Sequence, residues 1–139
     1  MKNTFYVNPV PASRPRVTRW STYFPKRYTQ FKEDMSIALN DVRFIPYERL
    51  VYAKFDFFIP MPKSWSKKKR KFKNGRFCDN NADLDNYCKA ILDCLNGVYY
   101  NDDKQVVMMR ARKYYSETPR IKCTITELEE GYDKDGAMY

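Results

Sequence analysis

The chain has 139 residues, with 26 Lys/Arg against 17 Asp/Glu, a formal net charge of +9 and no histidine. That length suits one compact domain with a single core, and no apolar run is long enough to span a bilayer. The missing histidine removes the commonest general base and the Ser/His and Cys/His nucleophile systems, leaving Asp, Glu, Lys, Tyr or a metal-activated water for any catalysis. Cys78, Cys88, Cys94 and Cys123 form no C-x-x-C pair, which argues against structural zinc, and Cys88 and Cys123 fall on apolar faces as small core residues. The first residues, Met-Lys-Asn-Thr-Phe-Tyr, lack the apolar stretch of a signal peptide, so a cytoplasmic protein is expected.

The charge is unevenly spread. Residues 1–77 hold 18 Lys/Arg and 5 Asp/Glu, whereas residues 78–139 hold 8 and 12. A basic first half joined to an acidic second half fits a nucleic-acid surface beside a metal-binding centre; simple solubility would also account for it.

In chain order, Thr4–Val10 reads as a short strand closed by Pro9 and Pro11. The following stretch interleaves Arg14, Arg16 and Arg19 with Trp20, Tyr23 and Phe24 among prolines. It suits backbone phosphates and exposed bases, or equally a surface loop whose aromatics pack on the core. Residues Thr29–Val42 place Phe31, Met35, Ala38, Leu39 and Val42 on one helical face, with Thr29 as a candidate N-cap. Val51–Ile59 alternates as a strand ended by Pro60 and Pro62. A basic loop, residues 62–82, carries Lys67, Lys68, Lys69, Arg70, Lys71, Lys73 and Arg76 and leads straight into the acidic motif. It reads as a phosphate-binding arm, a targeting signal or a solvated face. Trp65 within it either stacks on bases or anchors the loop in the core. The last strands, Gln105–Tyr115 and Arg120–Leu128, are expected to form an antiparallel hairpin across Ser116–Pro119. The acidic tail, 129–139, is expected to fray.

The organising stretch lies between. In Asp83–Leu95 the residues Leu84, Tyr87, Cys88, Ile91, Leu92 and Leu95, followed by Val98, recur at three- and four-residue steps, which predicts a helix with one buried face, stopped at Gly97. Asp83 and Asp85 converge only if Asp83 precedes or caps that helix, because residues two apart on a helix diverge. A capping Asp83 and a solvated Asp85 would explain both without a metal. Lys89 lies one turn beyond Asp85, roughly 6 Å along the axis, and Asp93 about 12 Å away, too far to share its ligand shell. If Asp102-Asp103 comes beside this helix, one of them can complete a site of hard oxygen donors, which selects Mg²⁺, with Mn²⁺ as a substitute. No P-loop or dinucleotide fingerprint is present, so no nucleotide cofactor is expected.

The run Asp83-Leu-Asp85-Asn86…Lys89…Asp93…Asp102-Asp103-Lys-Gln105-Val106 resembles the RusA family of Holliday junction resolvases, and Arg14-Pro-Arg16 and Met61-Pro-Lys63-Ser-Trp65-Ser-Lys67 also resemble phage and bacterial members. The likeness covers roughly residues 5–128. It implies a single α/β domain of α+β type, residues 1–139, with a mixed sheet and two main helices. It further implies a homodimeric, Mg²⁺-dependent endonuclease that cuts four-way DNA junctions in pairs. By motif position, Asp83, Asp85 and Asp103 would hold the metal and Lys89 would act beside them, with Asp102 as a helper. Relatives place basic residues before the first aspartate; here Asn81-Ala82 stands there. Rival readings are a metal nuclease for flaps, forks or RNA, a non-catalytic DNA-binding protein, and a basic scaffold without strong DNA affinity.

Overall fold

The computed structural model describes residues 1–129; the expected frayed tail lies, apart from Glu129, outside the described residues. Six strands and three helices follow in order: β1 (Lys2–Phe5), β2 (Arg16–Val17), β3 (Thr22–Tyr23), α1 (Lys26–Leu39), β4 (Val51–Pro60), α2 (Lys67–Lys73), α3 (Leu84–Leu95), β5 (Val106–Ser116) and β6 (Arg120–Glu127). A single 3₁₀ turn, Asp103–Gln105, leads into β5. The fold is α+β, as the resemblance implied, with α1 and α3 as its two long helices.

The main sheet runs β1-β6-β4-β5. β4 lies between β5, which is parallel to it, and β6, which is antiparallel. This corrects the expected β5–β6 hairpin. The two strands are consecutive but not paired, because β4 is inserted between them. β4 stops at Pro60, which has no N–H to donate, and the Ser116–Arg120 connection crosses over that end. Central placement fits the sequence of β4, in which Val51, Ala53, Phe55, Phe57 and Ile59 are all buried. These side chains meet Tyr28, Phe31 and Met35 of α1 and Tyr87, Cys88, Ala90, Ile91 and Leu95 of α3 in one core. Both long helices therefore cover the same face of the sheet.

Several boundaries differ from the sequence expectation. β1 ends at Phe5, opposite Ile121, because β6 begins one residue earlier at Arg120 and offers nothing further to pair with. α1 starts at Lys26, directly after Pro25, so Thr29 is no N-cap: it sits in the first turn and its hydroxyl donates to the Pro25 carbonyl. Ala38 is exposed and Tyr28 takes a place in the core instead. The basic segment is not a loop throughout. Ser66 accepts a hydrogen bond from the Lys69 amide (3.2 Å) and caps α2, a helix built almost wholly of lysine and arginine. Gly75, at φ +82°, then turns the chain so that residues 75–78 pair with Lys113–Tyr115 along the outer edge of β5.

The interleaved arginine–aromatic stretch forms a small hairpin, β2–β3. Trp20 is 85% exposed at its tip, with the Arg19 guanidinium 5.2 Å from the ring, so this tryptophan does not pack on the core. Trp65 does the opposite. It packs edge-on against buried Tyr115 at 5.1 Å and anchors the start of the basic segment.

Candidate active site

Asp83 is the N-cap of α3, with extended backbone, so its position before the helix agrees with the only geometry in which it can approach Asp85. Its side chain makes no capping hydrogen bond. An N-cap aspartate ordinarily accepts from the second or third helical N–H; here the carboxylate is left uncommitted beside the positive end of the helix. Asp83, Asp85, Lys89 and Asp93 are all exposed along one side of α3, while Tyr87, Cys88, Ala90, Ile91 and Leu95 are buried on the other.

The loop that delivers Asp83 is fixed from β5. Lys113 donates to the Asn80 side-chain oxygen at 2.7 Å, to the Asn80 carbonyl at 3.3 Å and to the Ala82 carbonyl at 2.6 Å. The Tyr115 hydroxyl donates to Asp79 at 2.6 Å, and Asn80 donates to the Tyr87 hydroxyl at 3.0 Å. That hydrogen bond from Tyr115 is the main reason the Asp79 carboxyl sits below its ordinary range. Three of the four residues before Asp83, namely Asp79, Asn80 and Ala82, are thereby tied to rigid elements. Sequence reasoning missed Lys113; its signal was a lysine at an inward position of an alternating strand.

The second acidic pair is built differently. Asp102 caps the 3₁₀ turn, accepting from the Lys104 amide at 2.9 Å. Gln105 returns the bond. Its side-chain oxygen accepts from the amides of Asn101 (2.8 Å) and Asp102 (3.0 Å), and its nitrogen donates to the carbonyls of Tyr47 (2.7 Å) and Arg49 (2.8 Å). Gln105 is buried, and all its polar capacity goes into holding this turn. In the sequence it stands within the acidic motif with nothing local to mark this role.

Asp102 is held below the usual carboxylate range, chiefly by the Lys104 amide and then by a hydrogen bond shared with Asp103. Asp103 is pushed up, chiefly by partial burial, then by that shared hydrogen bond and by repulsion from Asp102 and Asp93. Asp103 thus feels the far half of α3. It also lines a hollow with Leu92, Val106, Val107 and Met109. Among the described residues, no three His, Cys, Asp or Glu side chains come close enough to hold one ion. The donor set is all oxygen, which suits a hard cation. Mg²⁺ is ordinarily held by one or two carboxylates, with water and substrate phosphate in the remaining positions.

A second cavity, about 370 Å³, opens beside Lys89 and Asp93 and is lined by Arg14, Phe24, Tyr28, Lys32 and Asn86. Two contacts build it. The Asn86 carbonyl accepts from the Ala12 amide at 2.8 Å, which brings the Arg14 loop onto α3. Lys32 of α1 lies 4.5 Å from the Tyr28 ring and 4.8 Å from the Phe24 ring. Arg14, Lys32 and Lys89 give this cavity three cations, enough to receive a phosphate. Lys32 was not foreseen, since nothing in an exposed helix position marks which cavity it borders.

The other DNA-contact candidates are spread more widely. Arg16 and Arg19 lie on the β2–β3 hairpin. Lys67, Lys68, Lys69 and Lys71 are exposed on α2, Lys73 is half-buried and Arg76 is exposed just beyond it. Arg70 is tied to the Pro62 carbonyl at 2.9 Å and to Glu117 at 3.5 Å. The cysteines are free and burial pushes their thiols up, Cys88 and Cys94 to about 11 and Cys123 to about 12, so none of these three is a thiolate nucleophile at neutral pH.

The profile of the RusA family, described as endodeoxyribonuclease RusA, matches residues 7–126. That span contains both acidic pairs, Lys89, Lys113 and the basic helix. This chain belongs to the RusA family. It is also similar to a protein of Bacillus subtilis (strain 168) named uncharacterized protein YqaN, at 33% identity over 140 positions, covering 92% of this chain and 96% of that one. In this RusA-family chain, no helix among the described residues is long and apolar enough to cross a membrane.

Proposed function

We propose that this RusA-family protein is a structure-specific endodeoxyribonuclease that resolves four-way DNA junctions by paired phosphodiester cleavage, with Mg²⁺, or Mn²⁺ in its place, as cofactor. The observation that carries the reading is Asp83. It is held at the helix N-cap by a clamped loop, yet its carboxylate is bonded to nothing in the helix. A purely structural cap would use that carboxylate.

One or two of the carboxylates Asp83, Asp85 and Asp103 would hold the cation, with water and substrate phosphate in its other positions; when bound it would acidify water and offset charge on the phosphodiester. The chain's own residues supply the rest. Arg14 and Lys32 receive a phosphate in the cavity beside α3 and orient it. Lys89, on the same cavity, stabilises the extra negative charge as water adds to phosphorus, and can protonate the leaving oxygen as the P–O ester bond breaks. The basic helix α2, with Arg16, Arg19 and Arg76, holds the DNA arms through their phosphates. A junction has twofold character, so a C2 homodimer would present one site to each incision. Its family resemblance and the proposed work on DNA support a cytoplasmic location in a bacterial or phage-infected cell.

The test is cleavage of a labelled four-way junction beside a linear duplex of the same sequence, with wild type and Asp85→Asn. Symmetric nicks in the junction alone, lost in Asp85→Asn while binding persists, are expected. Cleavage of forks or flaps in preference to the junction would move the substrate class. Tight binding without cutting in either Mg²⁺ or Mn²⁺ would make the protein a DNA-binding module.

A further inference from the structure

The helices cover one face of the sheet, and the opposite face is organised in its own right. Strand pairing puts Phe58 of β4 between Arg120 of β6 and Tyr114 of β5, and Tyr114 opposite Phe77 of the edge segment. Residues paired across strands point to the same side, and neighbouring strands are about 4.8 Å apart. The side chains use that spacing to form a column. The Arg120 guanidinium lies 3.8 Å from the centre of Phe58; Phe58 and Tyr114 stack at 5.3 Å with 19° between planes; Tyr114 and Phe77 stack at 5.1 Å with 16°. One end of the column is closed by a cation. At the other end Phe77 is 71% exposed, with Tyr114 as its aromatic partner. A large ring held in a fixed plane and left this open is a platform for a further flat group.

The same face is strongly basic. Lys54, Arg110 and Lys122 share it with Arg120, and its acid, Asp56, is taken by Arg112 through two bonds of 2.8 and 3.1 Å. Among the described residues the other four cations have no carboxylate partner. A second copy of this face would meet it with like charge. A polyanion that carries flat rings matches both features.

We infer that the open face of the sheet binds a single strand of DNA, with one unpaired base stacked on Phe77 as the next layer of the Arg120–Phe58–Tyr114–Phe77 column and phosphates further along the strand crossing the sheet near Arg110, Lys54 and Lys122. The choice of DNA over RNA rests on the endodeoxyribonuclease reading above. The surface itself is separate from the α3 carboxylates and the α2 helix. Phe77 follows directly on the basic segment, so a strand unpaired at a branch point could leave the α2 side and reach the column. Bases stacked on aromatic side chains of a basic groove are a general way of holding single strands without reading their sequence.

The test uses the full chain without divalent metal. A labelled oligothymidine of about twenty nucleotides, and the same strand with an internal 2-aminopurine, are titrated with wild type, Phe77→Ala, Phe77→Trp, Lys122→Glu and, on the other surface, Lys68→Glu. Wild type should quench the 2-aminopurine. Phe77→Ala should lose the quench and bind the strand roughly five- to a hundredfold more weakly, and Phe77→Trp should keep both. Lys122→Glu should weaken binding and flatten its salt dependence. Unchanged binding and quenching in Phe77→Ala overturn the inference. So does weakening by Lys68→Glu alone, or a Phe77→Ala effect on sedimentation in place of DNA affinity, which would make the face a contact between copies. Because nothing is cut, a positive result stands even if junction cleavage fails, and a negative one leaves the nuclease reading untouched.

Discussion

Asp83 and Asp102 occupy the same kind of position, the N-cap of a helical turn, and do opposite things there. Asp102 accepts the Lys104 amide and belongs to a reciprocal capping box with Gln105. Asp83 makes no capping bond; its place is held by Lys113 through the backbone before it. In one case the carboxylate builds the turn and displays its neighbour Asp103. In the other, the neighbours build the turn and display the carboxylate. Residue type and helix position therefore do not settle whether an aspartate is scaffold or reagent; the hydrogen-bond ledger around it does.

Breaking the comparison at its functional end should give the largest effect. Asp83→Asn keeps a good cap residue, so the unfolding midpoint should barely move. Junction cleavage should fall by roughly a hundredfold or more, the size expected for loss of a group that acts on the transition state. Equal losses in stability and cleavage would return Asp83 to the scaffold.

Next comes Gln105→Ala. It strips four hydrogen bonds from a buried side chain and leaves the Tyr47 and Arg49 carbonyls without this partner. Denaturant unfolding should show a loss of about 3 kcal/mol. Cleavage should drop further than the unfolded fraction explains, because Asp103 is no longer held. Lys113→Met tests the other support. Removing a charged donor to three oxygens should cost about 2 kcal/mol and should raise amide hydrogen exchange at residues 79–84, with β1–β6 protection unchanged.

The smallest effect sharpens the contrast directly. Asp102→Ala should lower the melting temperature by about 3–6 °C. Asp83→Ala should shift it by less than half as much, since no capping bond is lost. A reversed order would mean that Asp83 caps α3 in solution.

Much of this was legible in the sequence, for reasons that can be named. The α3 helix declared itself through its three- and four-residue apolar steps; it stops at Leu95, with Asn96 already out of helical backbone (φ −57°, ψ 129°), and Gly97, at φ +77°, turns the chain just beyond that stop. β4 declared itself by alternation. The need for Asp83 to precede the helix followed from helical geometry alone. What stayed hidden was mostly long-range. A three-residue connection after Ser116 looks like a hairpin because a local pattern cannot reveal a strand from much earlier in the chain inserted between the two. α2 has no apolar period to announce a helix, only Ser66 ahead of a basic run. Lys113, Lys32 and the roles of Gln105 and Asn86 depend on partners distant in sequence, so the residues were visible but their functions were not.

The central position of β4 carries a consequence for the newly made chain. Its partners, β5 and β6, are synthesised more than fifty residues after it begins, and both of its edges stay unpaired until then. An apolar strand with open edges is prone to join other chains. The lysines and arginines that follow β4 flank this hazard with charge, as gatekeeper residues do. The basic segment thus sets charge beside the open apolar strand before its sheet partners are made.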